Sequence, residues 1–237
     1  MTQDIVPGET GFVTTFGVVR NQNTTGAPFS ETWTAGDILY ANPNIAGGFT
    51  NVRPTTPDIV EPMGFVLNVD ETAGTIFIRP VINSQEFAGE FSATANVAVA
   101  AANTAYTIAF NNTISQDGVS LAQGNPSRIV ASRAGYYNLN FNGQINFNSG
   151  GAGEATMYVW IRKNGVDVPG SMRRQSVAGN TPFRNLSFHQ NLSMAANDYI
   201  EIAYAGSSNL LLWEAAPATA FGPSTSAAYV SFYQAQQ

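Results

Sequence analysis

The chain has 237 residues, of which 44% are hydrophobic and only 11% charged, and its net charge is −6. A soluble domain usually carries about 25% charged residues; here Asn, Thr, Ser and Gln fill the surface instead, which suits a protein held in a large assembly better than a free monomer kept soluble by charge. One lysine and scattered arginines exclude nucleic acid, whose phosphates need clustered cations. The lack of cysteine excludes disulfides, thiolate metal sites and a cysteine nucleophile, and no apolar run approaches the roughly 20 residues of a membrane helix.

Helical periodicity is nearly absent, and period-2 alternation bounded by Gly, Pro, Asn and Asp recurs, so an all-β fold is expected. Residues 1–85 read as a small N-terminal β domain of five or six strands. Gly36-Asp37-Ile38-Leu39-Tyr40 is a turn into a strand, and Asn42-Pro43-Asn44 turns the chain again. Thr55-Thr56-Pro57 and Glu61-Pro62 form a crossing that cannot be a central strand, because proline lacks the ladder donor. Phe65, Leu67 and Val69 alternate with Val66 and Asn68, and Ala73-Gly74 makes a hairpin turn into Thr75-Ile76-Phe77-Ile78-Arg79. Residues 1–90 hold three arginines against ten acids, whereas residues 91–237 are nearly balanced. The acidity therefore belongs to the first module, and docking through it is expected. Residues 86–102 read as a linker or as a strand leading into the next domain, and the stretch Ala93–Ala102 is small and apolar.

Residues 103–237 carry the clearest pattern. From Tyr137 the odd positions are Tyr, Leu, Phe, Gly, Ile and Phe, and the intervening even positions are Asn, Asn, Asn, Gln and Asn. One apolar and one amide face over eleven residues requires a strand. Met157, Val159 and Ile161 alternate with Tyr158, Trp160 and Arg162, and Asn164-Gly165 follows as a hairpin turn, both residues tolerating positive φ. Further strands are expected around Leu186–Met194, Ile200–Tyr204, Leu210–Trp213 and Tyr229–Tyr233. About eight strands without helices fit a jelly-roll β-sandwich.

Four stretches occur in order: Ala134-Gly135-Tyr136-Tyr137, Val159-Trp160-Ile161-Arg162-Lys163-Asn164-Gly165, Asp198-Tyr199-Ile200-Glu201-Ile202 and Ala228-Tyr229-Val230-Ser231-Phe232. Together they resemble the trimeric jelly-roll heads of the tumour necrosis factor and complement-component family, in the versions found in virion proteins of tailed bacteriophages. Gly36-Asp37-Ile38-Leu39-Tyr40, Gly48-Phe49-Thr50-Asn51-Val52-Arg53-Pro54, Pro62-Met63-Gly64-Phe65-Val66 and Gly74-Thr75-Ile76-Phe77-Ile78 resemble a short β module of phage structural proteins. The resemblance implies a phage particle-surface protein, assembled in the host cytoplasm as a homotrimer and bound to the major capsid protein or another virion protein.

The expected trimer contacts are the aromatics Tyr137, Tyr158, Trp160, Tyr199, Tyr229 and Tyr233, through burial of apolar and aromatic strand faces between subunits with the amide faces turned to water. Arg173, Arg174, Asn209 and Trp213 are the candidate ligand-loop residues, since loops on a rigid sandwich commonly carry binding sites. Three functions are weighed. A capsid decoration or cement protein comes first, because the chain has no heptads or long repeats for a fibre shaft. A tail-fibre or receptor-binding tip holding a host-surface glycan comes second. A polysaccharide hydrolase using Glu154 or Asp198 comes third, and nothing pairs those carboxylates as such hydrolysis requires. His189, the single histidine, cannot make a His-rich metal site and reads as a surface or interface residue. No enzyme activity, cofactor or metal is expected.

Overall fold

The computed structural model describes residues 14–55, 58–80 and 87–235. The chain divides into two compact units, Met1–Gln85 and Glu86–Gln237. The first unit holds β1 (Gly17–Gln22), β2 (Ile38–Ala41), β3 (Phe49–Thr50), β4 (Pro62–Asn68) and β5 (Gly74–Ile78). They form one antiparallel sheet in the order β1-β5-β4-β2-β3. Val19, Leu39, Val66, Ile76 and Ile78 bury one face of it around Trp33. Pro62 opens β4, an interior strand, contrary to the expected non-strand crossing; the first position of a strand tolerates a missing donor.

The second unit continues with β6 (Ala88–Ala93), β7 (Val97–Ala98), β8 (Tyr106–Thr107), β9 (Asn112–Asp117), β10 (Val119–Ala122), β11 (Asn125–Ala131) and β12 (Gly135–Phe147). Then come β13 (Glu154–Lys163), β14 (Val166–Asp167), β15 (Arg173–Ala178), β16 (Phe183–Met194), β17 (Tyr199–Gly206), β18 (Leu211–Trp213) and β19 (Ala228–Gln234). One sheet runs β7-β18-β12-β19-β6-β9, with β16 on the other side of β12. The other runs β10-β11-β17-β13-β14, with β15 also on β13 and β8 on β17. The chain passes from one sheet to the other between β11 and β12, β12 and β13, β15 and β16, β16 and β17, and β18 completes the first sheet before β19. That alternation makes the unit a jelly-roll β-sandwich, and the protein as described is all-β, with a small β domain preceding it.

The odd positions of β12 turn inward. Leu139, Phe141, Ile145 and Phe147 meet Met157, Val159 and Ile161 of β13 and Ile200, Ile202 and Tyr204 of β17 in one core. The Asn164-Gly165 turn joins β13 to β14 with both φ angles positive, as its residue types require. Of the two readings of residues 86–102, the described part, 87–102, has the strand. Phe87 and Phe91 are fully buried, and β6 lies inside the sheet between β19 and β9.

Candidate interaction surfaces

With the apolar faces closed inside the sandwich, each sheet presents one outward face, and the two differ in charge. On the β12 sheet, register builds rows across four strands. Glu90, Ser231, Asn140 and His189 form one row; Ser92, Tyr229, Asn142 and Ser187 form the next; Ala88, Tyr233, Asn138 and Asn191 form a third. Glu90 is the only Asp, Glu, Lys or Arg in these rows. Burial, and then hydrogen bonding to the Glu90 carboxylate, push the Tyr229 phenol up from its ordinary value. Asn140, Asn142, Ser187, His189 and Tyr229 surround a shallow depression of about 570 Å³ floored by Phe141 and Phe188.

The outward face of the β13 sheet is charged, and two of its arginines are paired with acids. Asp167 faces Arg162, which faces Glu201 in register. Arg162 Nε lies 2.7 Å from Asp167 Oδ1, and Arg128 Nε lies 3.4 Å from Glu201 Oε1. The Arg162 hydrogen bond, followed by one from Trp160 Nε1 at 2.7 Å, holds Asp167 below the ordinary carboxylate range. Arg128 also covers the Tyr199 ring at 4.4 Å.

Asp198 fastens two turns together. Its carboxylate accepts from Lys163 Nζ at 2.8 Å, Asn164 Nδ2 at 2.7 Å and the Ala195 amide at 2.7 Å. Led by Lys163, these partners lower its pKa to about 2. A depressed carboxylate adds stability above its unfolded pKa and loses it as pH falls through the folded one. Asp198→Asn is therefore expected to cost about 1–2 kcal/mol at neutral pH, after discounting for solvent screening. The gap to the parent should close between about pH 4 and pH 2. Thermal melts across that range check this, and a gap independent of pH would refute it.

The aromatics expected at one interface are dispersed. Tyr137 lies in the core, fully buried, stacked on Phe232 at 4.9 Å, with its hydroxyl donating to the Arg133 carbonyl at 3.0 Å. Its inward parity on β12 removes it from any surface. Tyr229 and Tyr233 face outward on the β12 sheet, whereas Tyr158, Trp160 and Tyr199 face outward on the β13 sheet. The amide faces are outward and the apolar faces inward, so the expected burial of apolar strand faces between subunits is already complete within one subunit.

The ligand-loop residues also separate. Arg173 and Arg174 are on strand β15 rather than in a loop. Arg174 opposes Tyr158, while Arg173 turns to the other side, beside Ser187 and His189. Asn209 is exposed in the β17–β18 turn, and Trp213 is fully buried. Glu154 begins β13 and Asp198 is bound to Lys163 at its end. Ten residues of strand put roughly 30 Å between those ends, too far for a cooperating carboxylate pair.

The first unit carries a surface that sequence reasoning missed. Val18 opposes Phe77, Phe77 opposes Phe65 and Phe65 opposes Ile38, which makes an apolar row across β1, β5, β4 and β2 on the face away from the core. Val18, Phe65 and Ile38 are exposed, and Phe16 packs edge-on against Phe77 at 5.4 Å. Three of the described acids of this unit are engaged in hydrogen bonds elsewhere. Burial alone would raise Glu31, but hydrogen bonds from Thr50, Trp33 and the Asn51 amide outweigh it and hold it low. Asn51, then Thr34, lower Asp37, and the Ala73 and Thr72 amides lower Asp70.

No protein-family model matches the chain, and no curated protein matches it. Among solved structures, murine APRIL at pH 8.5 aligns over 64% of this chain and all of that chain, with TM-score 0.41 and 6% identity. The jelly-roll assignment rests on the strand order given above.

Proposed function

We propose that the protein is a structural component of a tailed-phage virion, a homotrimer that decorates the capsid and docks through its N-terminal unit. The observation that carries the oligomer is the division of charge between the two outward faces of the sandwich. Interfaces are depleted in charge and enriched in tyrosine at their centres. The β12 face has that composition, whereas the β13 face carries the ion pairs of Arg162 with Asp167 and Arg128 with Glu201 beside the exposed Arg174, and suits solvent. The virion assignment is supported by the ordered motifs and by the low overall charge. Imaging purified particles with the protein labelled tests it. Label spread over the head is expected; label confined to the tail would favour the receptor-binding tip, and unlabelled particles would overturn both.

Docking is supported by the apolar row of the first unit as well as by its acidity, of which Glu31, Asp37 and Asp70 serve loop hydrogen bonds. Contiguous exposed apolar surface of this kind marks interaction sites. Phe65→Asp is expected to weaken cosedimentation with particles lacking the protein by roughly thirtyfold, the loss of one hot-spot residue, while the fold persists because Phe65 is outside the core. Unchanged cosedimentation would remove this face from consideration.

A further inference from the structure

Phe221 is 95% exposed, more than any other large apolar side chain among the described residues. It sits at the tip of a hairpin closed by paired backbone hydrogen bonds between Ala216 and Thr225 and by the Thr219 amide donating to the Gly222 carbonyl at 2.9 Å. Pro217 and Pro223 stiffen its two arms, and no residue after Glu214 is charged. A ring presented this way has little conformational freedom left to lose on binding.

The base of the hairpin is fixed to β12 at one height. The Glu214 amide donates to the Gln144 carbonyl at 2.8 Å, and the Gln144 amide donates to the Ala227 carbonyl at 3.0 Å. At the same height, on the opposite flank of β12, Gln144 and Ile145 pair with Asn185 and Arg184 of β16. There Gln144, Ile145, Phe183, Arg184 and Asn185 line a depression of about 210 Å³. Phe183 is 62% exposed at its wall. The Arg184 guanidinium is held in place by hydrogen bonds to the Thr181 and Phe183 carbonyls. An exposed aromatic wall suits a second phenyl ring in an edge-on or offset contact.

We propose that Phe221 of one copy seats in the Phe183–Arg184 depression of the next copy. The inference rests on the trimer reading and specifies its contact. Turning a copy about an axis along β12 preserves height and brings the hairpin flank of one subunit against the β16 flank of its neighbour. The contact joins unlike surfaces, and three such contacts close a ring.

The chain has no cysteine, so introduced thiols report cleanly. In the full chain, Phe221→Cys combined with Asn185→Cys, treated with a short bismaleimide, is expected to give covalent trimers on denaturing gels, while each single variant gives none. Phe221→Asp is expected to weaken association at least tenfold, read as a shift from trimer to monomer mass by light scattering at micromolar concentration. A trimeric parent with an equally trimeric Phe221→Asp variant, or with no cross-link from the cysteine pair, overturns this contact and leaves the trimer standing. A monomeric parent overturns the trimer reading itself.

Discussion

Trp213→Ala is expected to destabilise Glu86–Gln237 by about 3–5 kcal/mol, as for other buried tryptophans, and to lower its melting temperature by roughly 10 °C. Trp213 is fully buried, edge-on to Phe141 at 5.5 Å and to Tyr204 at 6.3 Å, between the two sheets. An exposed ligand contact would instead change stability by no more than about 0.5 kcal/mol, so a thermal melt separates the two roles. Gly143 supplies an internal check. A Cβ there would come within 2.5 Å of the Trp213 ring. Gly143→Ala alone should therefore cost about 1–3 kcal/mol through overpacking. In a Trp213→Ala background the methyl group enters space the ring has left, and the cost should vanish. Additive effects of the two substitutions would show that they do not share a site.

The same pair of residues shows what the sequence made legible. The alternation from Tyr137 to Phe147 fixes β12 and its inward face, and a glycine in the apolar slot at position 143 is a signal that a large group from a neighbouring strand covers it. Trp213 was harder to place. Its strand has three residues, too few for parity to separate inside from outside. Tyr137 stood in the inward register from the start, and its ring led it to be assigned to an interface against its own parity. Phe87, Gly89 and Phe91 share one parity too, but the alanine-rich run after them leaves a linker and an entry strand equally open. In the first unit, β5 is apolar at both parities, with Ile76 and Ile78 on one side and Phe77 on the other. No local pattern distinguishes its exposed face, which is why the row from Val18 to Ile38 emerges only with strand register. The division of charge between the two sandwich faces has the same origin. Glu201 meets Arg162 across a ladder between residues 39 positions apart, and no window of sequence contains that pairing.

That division makes the assembly face testable with two charges. Asn140 lies at the centre of the β12 face, exposed, in register with Ser231 and His189. Asn140→Arg leaves the folded subunit intact, since the side chain points to solvent in the monomer. In a trimer closed over this face it buries a cation whose one acid in the row, Glu90, already binds Tyr229, and such a buried cation costs about 3–5 kcal/mol, a loss of roughly a hundredfold or more in association. Tyr158→Arg places the same charge on the β13 face, beside Arg174 and away from the depressions around His189. It is expected to leave the mass unchanged. Sedimentation of both variants beside the parent decides between the faces, because the aromatics expected at the interface from sequence divide between them, Tyr158, Trp160 and Tyr199 on the β13 face and Tyr229 and Tyr233 on the β12 face. A trimer that survives Asn140→Arg and dissociates with Tyr158→Arg would mean that subunits meet through the charged sheet, and the ion-paired ladder of Asp167, Arg162, Glu201 and Arg128 would then have to be broken or buried as subunits join. The desolvation of those paired charges is the physical reason for expecting the opposite result.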